Sequence, residues 1–341
     1  MNSEKCSTAD SPLTQSPLVP LQIQEQLQAG LWGRGALRWV CEDPQLPGRL
    51  ADTLCINGQL RQQIAGNEWG TVQIARLDKA ALAPPPETSM QTSACEPPET
   101  TGKSTPQANP MPTAHLLRQS YDRGYSIITN NLQDRSNLIA HLCQQLAKLF
   151  ACGVNCNAYL TPPDAQALAR HYDDEDIIVM QLSGHKRWQV WLPGDPQLLP
   201  LAGLPYSTHC ATTGAPLLDT VLQPGDCLYL PAGHAHAAQT SGVPSLHITF
   251  SLAALCVADL LIPLMRQQLF EPDTGSFLRQ RVPLSWIHEP DEKMLQAALS
   301  ELRSGYIRMA RSMSHTELVQ MLASLTDSVT LAMKGSAPCP T

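Results

Sequence analysis

The 341-residue chain has no run of about 18 consecutive apolar residues, the least that crosses a bilayer as a helix, so no membrane span is expected. Its opening residues, MNSEKCSTADSPLTQSPLVPLQ, lack the charged-then-apolar order of a secretory signal. Basic residues are not in excess: 23 Lys and Arg stand against 30 Asp and Glu, giving a net charge of −7. That balance argues against a general nucleic-acid binder, whose affinity rests on clustered cations, and no direct nucleic-acid contact is expected. Eleven cysteines are present without a C-x-x-C pair, and Cys152 and Cys156, four apart, lack a second pair. A zinc site is therefore not expected, and the scattered thiols fit a reducing cytosol or nucleus. Aromatics are absent from 83–113, where Pro, Thr, Ser and Glu dominate; that stretch reads as a disordered insertion, and residues 1–20 as a disordered N-terminus.

The rest suffices for one large domain with an accessory piece. Residues 21–82 carry short helical and extended patterns, and the alternation over 69–77 predicts a half-buried strand. Order returns at 121–131 with a strand or strand-plus-turn. Asp134 or Ser136 can then cap a helix bearing Leu138, Leu142, Leu146 and Leu149 on one stripe, with Gly153 as its stop. Beyond it, the runs NAYL, DIIVMQL, RWQVWL, DTVLQ, DCLYLP and SLHITFSL are parted by Pro, Gly and Asn, the pattern of a sandwich or barrel. Residues 253–333 read as helical, with stripes through Leu295, Leu299 and Leu302 and through Leu318, Met321, Leu322 and Leu325; 334–341 is a tail.

The chemistry-bearing residues lie among the short runs. His171 and Asp173 stand two apart, so on an extended segment both side chains leave the same side. One H-x-D triplet among ten histidines says little alone. Downstream, a strand-like run and turn end in His234 and His236, which share parity. Two histidines and one carboxylate from distant strands make the ligand set of non-haem Fe(II) oxygenases, with positions left open. On this pattern alone, either His234 or His236 can be the third ligand.

Five blocks in order, N-x-Y-x-T-P (157–162), H-Y-D-D (171–174), Q-L-x-G-x-K-x-W (181–188), G-D-x-L-Y-x-P-x-G-x-x-H (225–236) and H-x-T-x-S (247–251), carry a resemblance. Over 121–252 the chain resembles the JmjC-type ribosomal oxygenases, 2-oxoglutarate-dependent protein histidine hydroxylases. The resemblance implies a mainly β fold: a double-stranded β-helix of the cupin or jelly-roll kind over 114–252. Residues 21–82 would be its N-terminal part, with helices, and 253–333 a helical region that makes a homodimer.

The resemblance also implies Fe(II) held by His171, Asp173 and His236, with 2-oxoglutarate and O2 as co-substrates. Lys186 matches the family's co-substrate lysine, Tyr159, Asn157 and Thr249 its further polar contacts, and Ser251 its contact to the substrate side chain. The partner implied is a ribosomal protein, met in the nucleus or nucleolus, or in the cytoplasm. No room is apparent for the winged-helix module that follows in that family. Lysine demethylation, or an inactive cupin-like interaction protein, are the alternatives. His247, Trp188 and Trp191 are expected to pack in the core.

Overall fold

In a computed structural model of the chain, residues 17–56, 59–60, 72–76, 114–193, 214–270, 279, 281 and 292–324 are described. Met1–Ala254 cluster as one compact unit and Leu255–Gly335 as another. The insertion expected over 83–113, the tail and the helical stripe at Leu325 lie outside the described residues. So does the expected disordered N-terminus up to 16. Its last residues differ from expectation: Leu18 and Val19 are buried, because they pack into the main apolar cluster.

The first unit begins with α1 (Leu21–Gln26), which continues through a π-helical turn, Leu27–Leu31. Then come β1 (Leu37–Val40), α2 (Leu46–Leu54), the short pair β2 (Cys55–Ile56) and β3 (Gln59–Leu60), β4 (Val72–Ala75) and α3 (Ala114–Asp122). β5 (Ser126–Thr129) leads to α4 (Asn137–Phe150). Strands β6 (Gly153–Thr161), β7 (Asp176–Ser183), β8 (Lys186–Trp191) and β9 (Leu218–Leu222) follow. β10 (Asp226–Leu230), β11 (Ala235–Gln239) and β12 (Ser245–Ala253) complete the sheets. The second unit holds α5 (Val257–Gln267), α6 (Glu292–Ser312) and a helix over 315–324.

Among the described residues all strands pair antiparallel, in a seven-stranded sheet ordered β1-β10-β7-β12-β6-β5-β4, a three-stranded sheet ordered β11-β8-β9 and the separate pair β2-β3. The apolar run in β7 explains the layering. A strand with one wet face alternates, but β7 is buried on both faces and reads continuously apolar. Its Ile178 and Met180 join the cluster formed with α1, α2 and α4, together with Ile248 and Phe250 of β12. Ile177 and Val179 point the other way, onto Trp188, Val190 and Leu222 of the small sheet. The result is a mainly β architecture, two antiparallel sheets facing each other with helices on the outer face of the larger one.

Helix α4 starts at Ser136, whose hydroxyl accepts the Ile139 N–H at 3.3 Å. Its stop is Ala151, in the left-handed region at φ 50°, with its N–H on the Ala147 carbonyl; Gly153 instead opens β6. The expected strand over 121–131 is shorter, because Tyr121 still belongs to α3.

One glycine is indispensable. Gly184, in the turn between β7 and β8, has φ +62°, and a Cβ there would lie 1.9 Å from the Pro244 carbonyl oxygen. Gly184→Ala must therefore open the turn that leads into Lys186. Left-handed strain alone costs about 1–2 kcal/mol, and backbone displacement adds to it. A denaturant midpoint equal to that of the unmodified chain would refute the close approach.

Candidate metal centre

The site forms where two segments far apart in sequence exchange backbone hydrogen bonds. The His236 N–H donates to the His171 carbonyl at 2.7 Å, and the His171 N–H to the His236 carbonyl at 3.2 Å, an isolated antiparallel bridge. The two imidazoles thereby meet, ring centres 4.4 Å apart. Asp173 closes the group. Its Oδ1 is 3.6 Å from His171 Nε2, and its Oδ2 is 3.7 Å from His236 Nε2. One ligand atom from each of the three residues lies within 4.8 Å of the others.

The hydrogen bonds on the far side of each ring set its tautomer. His171 Nδ1 is 2.8 Å from the Ala169 carbonyl, and His236 Nδ1 is 3.1 Å from the His234 carbonyl. A carbonyl can only accept, so each Nδ1 carries the proton and each Nε2 keeps a lone pair facing the carboxylate. Burial is the first cause that holds His236 below the ordinary histidine range, against the pull of Asp173. The group is thus two imidazoles, each turning Nε2 to one shared carboxylate.

His234 stands apart. β11 starts at Ala235, so His234 lies in the preceding turn, where the alternation of a strand does not apply. The shared inward facing of His234 and His236 expected from parity is therefore corrected. His234 is buried, its Nε2 has no hydrogen-bond partner, and it lies outside the ligand group.

Lys186 lines the same cavity, a space of about 100 Å³ bounded also by Tyr159, Trp188, His247 and Thr249. Only 2% exposed, it donates from Nζ to Thr161 Oγ1 at 3.0 Å. Burial pulls its ammonium down to about 7 from the ordinary 10.5. Its neighbour Arg187 points outward to Asp219, as alternation along β8 demands. Tyr159, beside Asp173, is pushed up by burial, and its ring stacks on His247 at 4.8 Å.

Asn157 and Ser251 are not among the cavity-lining residues. The Asn157 side-chain oxygen accepts the Asn131 N–H at 3.1 Å. Ser251 hydrogen-bonds the Glu175 carboxyl, which burial pushes up, as do the nearby Asp174 and Asp173. Trp188 is buried as expected, but Trp191 is not a core residue. It is half-buried, its indole under Arg170 at 4.8 Å and its Nε1 on the Gly214 carbonyl at 3.1 Å. At the end of β8 it has left the layer between the sheets. Sequence reasoning assigned nothing to Thr161 or Glu175, and read His247 as plain core. His247 is buried, but it lines the cavity with an Nδ1 that has no partner. Within T-P and H-x-T these residues were visible, yet only the fold reveals what they face.

Residues 129–260 match the family model described as the JmjC domain. Over these residues the chain is similar to a JmjC domain. A bifunctional lysine-specific demethylase and histidyl-hydroxylase NO66 of Aedes aegypti is 37% identical over 169 residues, covering 48% of this chain and 26% of that protein. Ribosomal oxygenase 1 of Rattus norvegicus is 45% identical over 108 residues, covering 31% of this chain and 18% of its own. The matches thus span about a quarter or less of these curated relatives. Among solved structures, E. coli ycfD superimposes with a TM-score of 0.47 at 14% identity, over 89% of this chain and 71% of that one. His171, Asp173, Lys186 and His236 all fall inside the matched residues.

Proposed function

We propose that this chain is an Fe(II)- and 2-oxoglutarate-dependent oxygenase that hydroxylates a protein side chain, a histidine of a ribosomal protein. One observation carries the reading: a single cavity holds two imidazoles and a carboxylate at one point and a buried lysine at another.

The donor set fits the metal. Two lone-pair nitrogens and one carboxylate suit Fe(II) and leave coordination positions for other ligands. His171, Asp173 and His236 would hold the ion. Lys186, with Thr161, Tyr159 and Thr249 as polar neighbours, would take the distal carboxylate of the co-substrate. A buried ammonium whose only hydrogen bond among the described residues runs to a hydroxyl is suited to a carboxylate, since a charge-assisted bond there offsets its lost hydration. Asn157 acts one step away, fixing the β6 edge through Asn131, and Ser251 with Glu175 offers polar contact to an incoming side chain. Ile177, Trp188 and Ala238 wall the cavity and exclude water. With iron, dioxygen and 2-oxoglutarate bound, such a centre supplies the oxidising power for an unactivated C–H bond, while the protein orients the bond and keeps water out.

The histidine and the ribosomal protein are supported by the likeness to a histidyl-hydroxylase and to a ribosomal oxygenase. The test is to supply the purified chain with Fe(II), 2-oxoglutarate and ribosomal proteins, and to measure succinate and one added oxygen atom on a histidine. No succinate under any condition would remove the reading. Formaldehyde release from a methyl-lysine peptide, with no histidine product, would replace hydroxylation by demethylation.

The second unit supports a homodimer. Leu295, Leu299, Leu302 and Tyr306 stand about half exposed at helical spacing along α6. An apolar stripe of that length calls for a cover. Sedimentation should give a dimer, and Leu299→Glu with Leu302→Glu a monomer; a stable wild-type monomer at micromolar concentration would contradict it. By the same resemblance the chain acts in the nucleus or nucleolus, which imaging of a tagged chain would check. Among the described residues no helix is long and apolar enough to cross a membrane.

A further inference from the structure

We infer that Asp176 is a positioning residue of the metal centre, holding the turn that delivers His236 and linking it, through Tyr229, to the Trp32–Gly33 corner. The inference rests on the metal reading above, but not on the substrate.

Asp176 opens β7 on the face opposite the cavity, within the layer packed by the helices, and is only 5% exposed. A carboxylate in an apolar layer is costly unless its oxygens are bonded. Both are. The Ala232 N–H donates to Oδ1 at 2.8 Å, and the Tyr229 hydroxyl to Oδ2 at 2.5 Å. The Tyr229 oxygen in turn accepts the Gly33 N–H at 2.8 Å, which leaves the hydroxyl proton for Asp176. Trp32 fixes that corner by stacking on Phe150, centroids 4.6 Å apart, and on Tyr229 at 5.6 Å.

What this network holds is the segment 231–234. On one side Ala232 is bonded to Asp176. On the other, the Gly233 N–H donates to the Asp173 carbonyl at 2.9 Å. Three residues after Gly233 comes His236, whose backbone bridges His171. The turn is thus clamped between a buried carboxylate and the backbone of one ligand, and it carries another. Freedom at Ala232 becomes freedom of the His236 imidazole relative to Asp173. A simple structural brace would move overall stability alone; a positioning residue also moves the metal.

The test is a titration of metal-free full-length chain with Co(II), followed by its visible d–d absorption, beside circular dichroism. Asp176→Ala is expected to weaken Co(II) binding by about 10–100-fold, the range for lost outer partners, and to alter the band. Asp176→Asn keeps a carbonyl oxygen for the Ala232 N–H, and should recover part of the affinity. Tyr229→Phe removes one hydroxyl and should weaken Co(II) severalfold. If Asp176→Ala does not fold, Asp176→Asn and Tyr229→Phe carry the test with the same severalfold expectation. Folded variants with wild-type affinity and spectrum would overturn the inference while leaving the metal centre standing. A wild-type chain that takes up no Co(II) would overturn both.

Discussion

Asp173→Ala is expected to abolish tight binding of Fe(II) or Co(II), and with it turnover, while leaving the chain folded. Asp173 supplies the only negative charge in the group and approaches both Nε2 atoms, at 3.6 and 3.7 Å. Without it, two imidazoles remain, and the loss should exceed the ~10–100-fold that follows removal of an outer partner. Stability should change little, because Asp173 is 38% exposed and one of its histidine neighbours is held neutral. Metal titration and thermal melting on the same sample separate the two effects. The third ligand is tested alongside: His236→Ala should lose the metal and His234→Ala retain it. The reverse result would reassign the centre.

Lys186→Met should raise the 2-oxoglutarate constant sharply, retain the metal and stabilise the free protein. Truncating one member of a buried charged pair costs on the order of 2–5 kcal/mol, roughly a thirtyfold to several-thousandfold loss of affinity at about 1.4 kcal/mol per factor of ten. Metal should survive because Lys186 lies outside the group formed by His171, Asp173 and His236. The stability gain follows from the depressed ammonium. Between about 7 and 10.5 the unfolded chain keeps a proton that the folded chain has released. Stability of the wild type therefore rises with pH across that window and is lowest below it; the methionine variant lacks this slope. Co-substrate binding has the opposite sense. It requires the ammonium, so the 2-oxoglutarate constant should rise by up to about tenfold per pH unit above 7, until the bound complex itself loses the proton. A constant that moves less than twofold on Lys186→Met, or a flat pH profile, would remove Lys186 from the co-substrate site.

Much of the site was legible because the ligand chemistry is written in short spacings. H-x-D places two donors on one side of an extended segment, and the distal block supplies another histidine. The continuous apolar run of β7 announced a strand buried on both faces, and the stripe through Leu142 and Leu146 announced α4. Less legible were residues whose role depends on what stands opposite. Thr161 becomes a partner of Lys186 only because β6 and β8 face each other. Trp188 and Trp191, three apart in one short run, part company at the cavity and the rim.

The sequence by itself determined the residue types of the ligand set, the alternation that sends Lys186 inward and Arg187 outward, and the helical stripes of the second unit. These are local properties, carried by periods of two and 3.6 residues. Only the tertiary structure brought His236, rather than His234, beside His171 and Asp173, put Lys186 in the same cavity as that group, and tied Asp176 to the turn at Ala232. Those outcomes depend on the register between strands distant in the chain. Parity shows which way a side chain points, but the backbone bonds between His171 and His236 decide what it meets.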